Sequence, residues 1–318
     1  MGRLKAAPTK ACMRYTRREF GVMTGSGLAL WLALPVRALA DTIVGGVRLG
    51  VQSYSFRELP RTPGGDATAA IIQAMKGTGL SECELWAPQI EPVSAAGRGA
   101  SAEERQQARE VLRRWRLDTP LDHFRGIRKQ FESAGLSIAA YNYSPGADFT
   151  DEEIDRGFEM TKALGAGFIT SSTTLAVAKR IAPLAAKHKM NVAVHNHSNT
   201  SDPNEFATPE SFAAALKLSP HFKINLDIGH FTAANYDAVA FLREHHADIT
   251  NLHLKDRKKN QGDNVPWGQG DTPIAQVLQL LKKEQWPVRA YVEYEHRGTA
   301  GPVDEVRTCF DYVKRALA

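Results

Sequence analysis

Four strand-like segments in the second half of the chain end in groups that bind metals or move protons. They are His195, Asn196 and His197; Asp227 and His230; His253, Lys255 and Asp256; and Glu293, Glu295 and His296. Such groups are costly to bury unpaired. A mixture of carboxylate and imidazole suits one divalent cation, Mn²⁺ first and Mg²⁺, Co²⁺ or Zn²⁺ as alternatives. The charge of that ion would explain why ionisable groups collect where apolar strands end. A single strand-end histidine is a weak sign, because buried histidines are commonly structural. Four successive strands ending this way form a pattern. Side chains alternate along a strand, so His195 and His197 are expected to share a direction, as are His253 and Lys255.

Residues from 195 to 293 can meet only in a fold that gathers its strand ends. Eight strands are predicted at 47–55, 82–87, 136–144, 166–172, 190–198, 222–230, 249–255 and 288–295. Amphipathic helices are predicted between and after them, among them 151–164, 175–189, 272–284 and 303–318. Asp151, Glu152 and Glu153 suit one helix start, and Asp271 with Thr272 suits another. Alternating strands and helices imply parallel βαβ units. Eight units match the α/β class and a (β/α)₈ TIM barrel, a fold of about 250 residues. A doubly wound sheet is the alternative, but no Gly-rich phosphate loop follows the first strand.

Two connections are long. Residues 101–116 read as an extra helix after the second strand, its mixed charges suggesting a solvated face or lid. Residues 256–271 form a long loop after the seventh strand, on the side where barrels build active sites.

Of the 318 residues, 43% are hydrophobic and 24% charged, which are ordinary globular values. The net charge of +5 misleads. Seven of the 40 basic residues and one of the 35 acidic residues lie in 1–40, leaving a net of −1 for 41–318. Nothing in that balance suggests a nucleic-acid partner. Residues 1–40 read as an export signal: "TRREF" with paired arginines, the apolar run 21–36, then "ALA" at 38–40. The stretch resembles a twin-arginine signal, which implies a periplasmic or secreted mature domain, 41–318, without membrane attachment. Cys83 and Cys309 remain in that domain without metal-type spacing, and Cys83 reads as a core residue.

The motifs "NLDIGH" (225–230), "LHLKD" (252–256) and "VEYE" (292–295) resemble the later strands of the xylose-isomerase-like TIM-barrel superfamily. That superfamily includes sugar and sugar-phosphate isomerases and epimerases, dehydratases and barrel-type endonucleases. The resemblance implies metal ligands at Asp227, His253 and Glu293. The fourth position departs from the family's usual glutamate. His195 takes the slot in "VHNHS", with His197 or Glu205 as alternatives. Because family epimerases use two metal-bound glutamates as acid and base, this departure bears on the chemistry.

A sugar bound to the ion would have a carbonyl or hydroxyl polarised, which acidifies the adjacent C–H. Returning the proton elsewhere isomerises or epimerises the sugar, whereas expelling a β-oxygen makes the site a lyase or hydratase, for example on 3-keto-glycosides. Glu293 and His230 are the candidates for proton transfer. Lys255 is expected to stabilise a developing oxyanion, with Asp256 orienting it, touching substrate or capping the next loop. Tyr54 and Trp86 offer a sugar ring apolar surface, Glu84 and His197 can bind hydroxyls, and Trp267 can close over the ligand. A non-catalytic exported carbohydrate-binding barrel is the reading from another class. A homo-oligomer is left open.

Overall fold

The computed structural model describes residues 42–61, 65–93, 96 and 99–318. The export-signal reading of 1–40 lies outside the described residues. A two-residue strand β1 (Ile43–Val44) pairs antiparallel with β2 (Val47–Gln52). Seven further strands follow: β3 (Glu82–Trp86), β4 (Ser137–Asn142), β5 (Phe168–Ser171), β6 (Val192–His195), β7 (Phe222–Asp227), β8 (Ile249–Leu254) and β9 (Arg289–Val292). From β2 onward neighbours pair in parallel, and β9 returns to β2 through Leu49–Ala290, Gly50–Tyr291 and Val51–Val292. The sheet therefore closes into an eight-stranded barrel surrounded by helices, the expected (β/α)₈ architecture.

The strands are shorter than predicted. Segment 222–230 is strand only to Asp227, where the chain turns directly into a helix. Segment 47–55 stops at Gln52 and continues as a 3₁₀ turn. Polar residues at the strand ends prefer to cap turns, a preference that apolar patterning does not register.

Helices α1 (Thr68–Thr78), α2 (Ala102–Asp118), α3 (Leu121–Ser133), α4 (Asp151–Leu164) and α5 (Leu175–His188) cover the first half. α6 (Pro209–Leu216), α7 (Ile228–Ala233), α8 (Ala238–His245), α9 (Ile274–Glu284) and α10 (Pro302–Leu317) cover the second. The main apolar core lies between strands and helices, joining Leu49, Val51 and Leu85 to Ile71, Phe131 and Phe158. No helix among the described residues is long and apolar enough to cross a membrane. Cys83 and Cys309 are both buried and free.

Two sequence expectations need correction. α2 exists and is largely solvated as expected, but one of its faces is anchored in the protein. Its Arg109, Arg113 and Arg116 all reach the buried Glu153, and Arg116 also pairs with Glu91 at 2.7 Å. Mixed charge reads as solvation in sequence because the acidic partners lie in other elements. Asp271 and Thr272 do not cap α9, which starts after Pro273 without a side-chain cap. Asp271 instead accepts from the Lys259 N–H within the preceding loop.

Inside the barrel, residues two apart along each strand face the axis. Glu84 touches Gln52, Asn142, Thr170, Asn251 and His253, which come from four other strands. Only the barrel axis permits that convergence. Gly50 is needed on the wall: a Cβ there would stand 2.6 Å from the Tyr291 ring and 2.7 Å from the Glu82 carbonyl oxygen.

Candidate metal centre

His195 ends β6, Asp227 ends β7, His253 lies one residue before the end of β8, and Glu293 follows β9. One ligand atom from each lies within 4.8 Å of the others, and all four residues are buried. His195 Nε2 is 3.4 Å from Asp227 Oδ2, and His253 Nδ1 is 3.2 Å from Glu293 Oε2. None of these four buried atoms has a well-directed hydrogen bond, and the two carboxylate oxygens are ion-paired with the Lys255 ammonium. Orphaned buried polar atoms are rare. Two unpartnered imidazole nitrogens and two carboxylate oxygens gathered at one point fit a cation, a donor set that divalent ions accept.

The other face of three of these four candidate ligands is tied down, as metal-binding side chains require. His195 Nδ1 lies 3.2 Å from Ser172 Oγ. Asp227 uses Oδ1 to cap α7, accepting from the His230 N–H at 2.7 Å. His253 Nε2 lies 2.8 Å from Glu84 Oε2, which leaves Nδ1 to face the cluster. Glu84 was expected to bind substrate. Instead it is wholly enclosed and holds a ligand in place.

Lys255 is also buried, and its ammonium lies 2.9 Å from Asp227 Oδ2, 3.0 Å from Glu293 Oε2 and 2.7 Å from Glu295 Oε2. Burial alone would lower its pKa, but these carboxylates outweigh it and hold the ammonium charged. Burial would likewise raise Glu293, but Lys255 and His253 hold its carboxyl well below the usual range. The expected oxyanion-stabilising Lys255 is thus already engaged by protein carboxylates. Its first effect is to neutralise them.

The cluster floors a cavity of about 190 Å³ lined by Tyr54, Trp86, Asn142, Ser172, His197, His230 and Glu295, among others. Tyr54 and Trp86 meet edge to face at 4.8 Å and form its apolar wall. His230 presents Nε2 3.1 Å from the Lys255 ammonium and Nδ1 2.6 Å from Arg257 Nη1. Burial first, then Lys255, pushes its pKa well down, so it is a neutral imidazole between two cations. Of the alternatives for the fourth position, His195 joins the cluster. His197 lines the cavity beside it, with Glu205 3.8 Å behind on the far nitrogen.

Two expected substrate contacts lie elsewhere. Asp256 is buried and accepts from the backbone N–H groups of Gly268, Gly270 and Thr272. Trp267 packs edge-on against Tyr312 at 5.8 Å and does not line the cavity. A larger hollow of about 620 Å³ beside α2 shares no residue with the cluster. Sequence reading missed Gln52, Asn142, Asn225 and Asn251. Their signal was available: an amide inside an otherwise apolar strand needs a partner there.

Known proteins agree with this architecture. A family model described as xylose isomerase-like TIM barrel matches residues 95–315. L-ribulose-5-phosphate 3-epimerase UlaE of Salmonella paratyphi A is 28% identical over 100 residues, 31% of this chain. The matched stretch spans 35% of that curated relative's length. Among solved structures, the Escherichia coli 3-keto-D-glucoside 4-epimerase YcjR has a TM-score of 0.58 at 14% identity, covering 85% of this chain and 99% of that one. IolI, solved with a bound zinc atom, has a TM-score of 0.59 at 13% identity, covering 85% and 97%. At such identities these structures establish the fold alone. The family model covers well over half of the chain, which therefore belongs to the xylose isomerase-like TIM-barrel family.

Proposed function

We propose that this protein is a divalent-metal-dependent carbohydrate isomerase or epimerase. The observation that carries the reading is the convergence of His195 Nε2, Asp227 Oδ2, His253 Nδ1 and Glu293 Oε2, all buried, beside a polar cavity. Bound by these atoms, an ion such as Mn²⁺, Zn²⁺, Co²⁺ or Mg²⁺ supplies Lewis acidity toward a sugar oxygen. The chain's own groups do the rest. Tyr54 and Trp86 give a ring a flat apolar surface, and Gln52, Asn142 and His197 offer hydroxyl partners. Glu293 or His230 takes a proton from the carbon beside the polarised oxygen and returns it. Lys255 keeps the carboxylates ionised throughout.

One observation favours a second reading. His195 stands where a second acid–base glutamate would be expected, so the site has one carboxylate fewer for two-faced proton transfer. Loss of a β-oxygen needs only one abstraction, which suits a lyase or hydratase acting on keto-sugars. The experiment is incubation of metal-loaded protein with free sugars and 3-keto-glycosides in D₂O. C–H exchange without loss of oxygen supports the first reading, and release of an aglycone or unsaturated product supports the second. Binding without exchange or turnover under any of these metals refutes both and leaves a binding barrel. We further infer export by the twin-arginine-type segment 1–40, which N-terminal sequencing of secreted protein would test, a start far from Asp41 counting against it.

A further inference from the structure

Barrels of this type commonly hold phosphate in the loops after the last two strands, where backbone N–H groups and helix starts attract anions. Here both places contain a carboxylate of the chain itself. In the loop after β8, Gly268 and Gly270 donate their N–H groups to Asp256 Oδ2 at 2.8 and 2.9 Å, and Thr272 donates to Oδ1 at 3.2 Å. The fit is close enough to need glycine: a Cβ on Gly270 would stand 1.9 Å from Asp256 Oδ1. In the connection after β9, Glu305 in the first turn of α10 accepts from the Ala300 N–H at 3.0 Å and lies 3.3 Å from His296 Nε2.

The cavity repeats the message in its side chains. Glu293 and Glu295 line it, the Asp227 carboxylate lies behind Lys255, and no arginine lines it among the described residues. Its ammonium, Lys255, is held by those same three carboxylates. Arg257 lies behind His230, engaged by the Gly262 carbonyl and Ser198 Oγ. Arg57 is turned onto the Tyr54 ring and donates to the Tyr294 carbonyl.

We infer that the site takes uncharged carbohydrate and discriminates against phosphate esters, because Asp256 and Glu305 fill the anion cradles and Glu295 adds negative charge to the wall. This rests on the carbohydrate reading above and sets the chain apart in substrate class from the phosphate-ester epimerase it matches in sequence. A phosphate ester brought to this wall meets Glu293 and Glu295 with no lining arginine to neutralise it, and such like-charge juxtapositions are strongly disfavoured.

The test uses full-length, metal-loaded protein at a fixed free metal concentration. Binding is measured for L-ribulose against L-ribulose 5-phosphate and for D-glucose against D-glucose 6-phosphate. The free sugar of at least one pair is expected to bind at least about tenfold more tightly than its ester. Glu295→Gln is expected to narrow that ratio. Esters that bind as well as their free sugars in every pair that binds, or a ratio unmoved by Glu295→Gln, overturn the inference and leave the carbohydrate reading standing. Binding of neither member of either pair overturns the inference, while the carbohydrate reading stands or falls on the D₂O experiment.

Discussion

Glu84→Gln is the most informative perturbation, because one buried carboxylate both completes the barrel interior and orients His253, a proposed metal ligand. Glu84 Oε1 accepts from Gln52 Nε2 at 2.6 Å, Asn142 Nδ2 at 3.1 Å and Thr170 Oγ1 at 2.6 Å. Oε2 accepts from Asn251 Nδ2 at 3.0 Å and lies 2.8 Å from His253 Nε2. Glutamine keeps the shape but turns one oxygen into a donor. Whichever way the amide points, at least two buried donors then face an N–H₂ group. At about 1–3 kcal/mol for each orphaned donor, the metal-free fold should lose about 2–6 kcal/mol. Released from its carboxylate, His253 should also bind metal about 10–100-fold more weakly, the usual effect of removing such a support. Thermal unfolding after chelation reads the first effect, and competition with a chromogenic chelator reads the second. Metal affinity within about threefold of the parent, in protein that is measurably destabilised, would refute the positioning role and leave Glu84 a packing residue.

Asp227→Ala should abolish stoichiometric metal uptake and, because Asp227 also caps α7, remove about 1 kcal/mol of stability while the circular dichroism spectrum persists. Full metal content by elemental analysis would contradict the site. His195→Glu makes the donor set more anionic and oxygen-rich, so preference for Mn²⁺ or Mg²⁺ over Zn²⁺ should rise by about tenfold, read by metal content after dialysis against mixtures. Glu153→Gln probes the anchoring of α2. Burial alone would raise the Glu153 pKa, but hydrogen bonds from Arg109, the Thr150 N–H and Arg113 hold it below its ordinary 4.5. The ionised form therefore stabilises the fold above that value, and the contribution is lost as pH falls below it. The variant should be less stable at pH 7 by roughly 1–3 kcal/mol, with the difference shrinking toward pH 3 in denaturant titrations.

How much of this was legible beforehand depended on the range of the interaction. The helix predicted at 151–164 forms over those residues, because its start is written locally as a Thr150–Glu153 capping box. The barrel was legible because eight apolar strands alternate with helices, and that periodicity follows from burying each strand between axis and helix. Asp227, His253 and Glu293 were legible as strand-end groups that apolar packing could not explain. His195 was readable only as one of three alternatives, since proximity in sequence cannot tell which nitrogen or carboxylate turns inward.

The sequence alone determined the order of elements, the family resemblance and the chemical types at the strand ends, all of which depend on residues within a few positions of one another. Tertiary structure decided the contacts made across the barrel. Glu84 stands 169 positions from His253 and took a structural role where a substrate contact was expected, whereas Asp256, 12 to 16 positions before the N–H groups it holds, caps its loop, one of the roles the sequence offered. Arg116 likewise became buried only because Glu91 and Glu153 arrive from other elements. A charged side chain has the same identity whether it faces water, a ligand or a distant partner. Its role is fixed by which groups closure of the barrel brings within hydrogen-bonding reach.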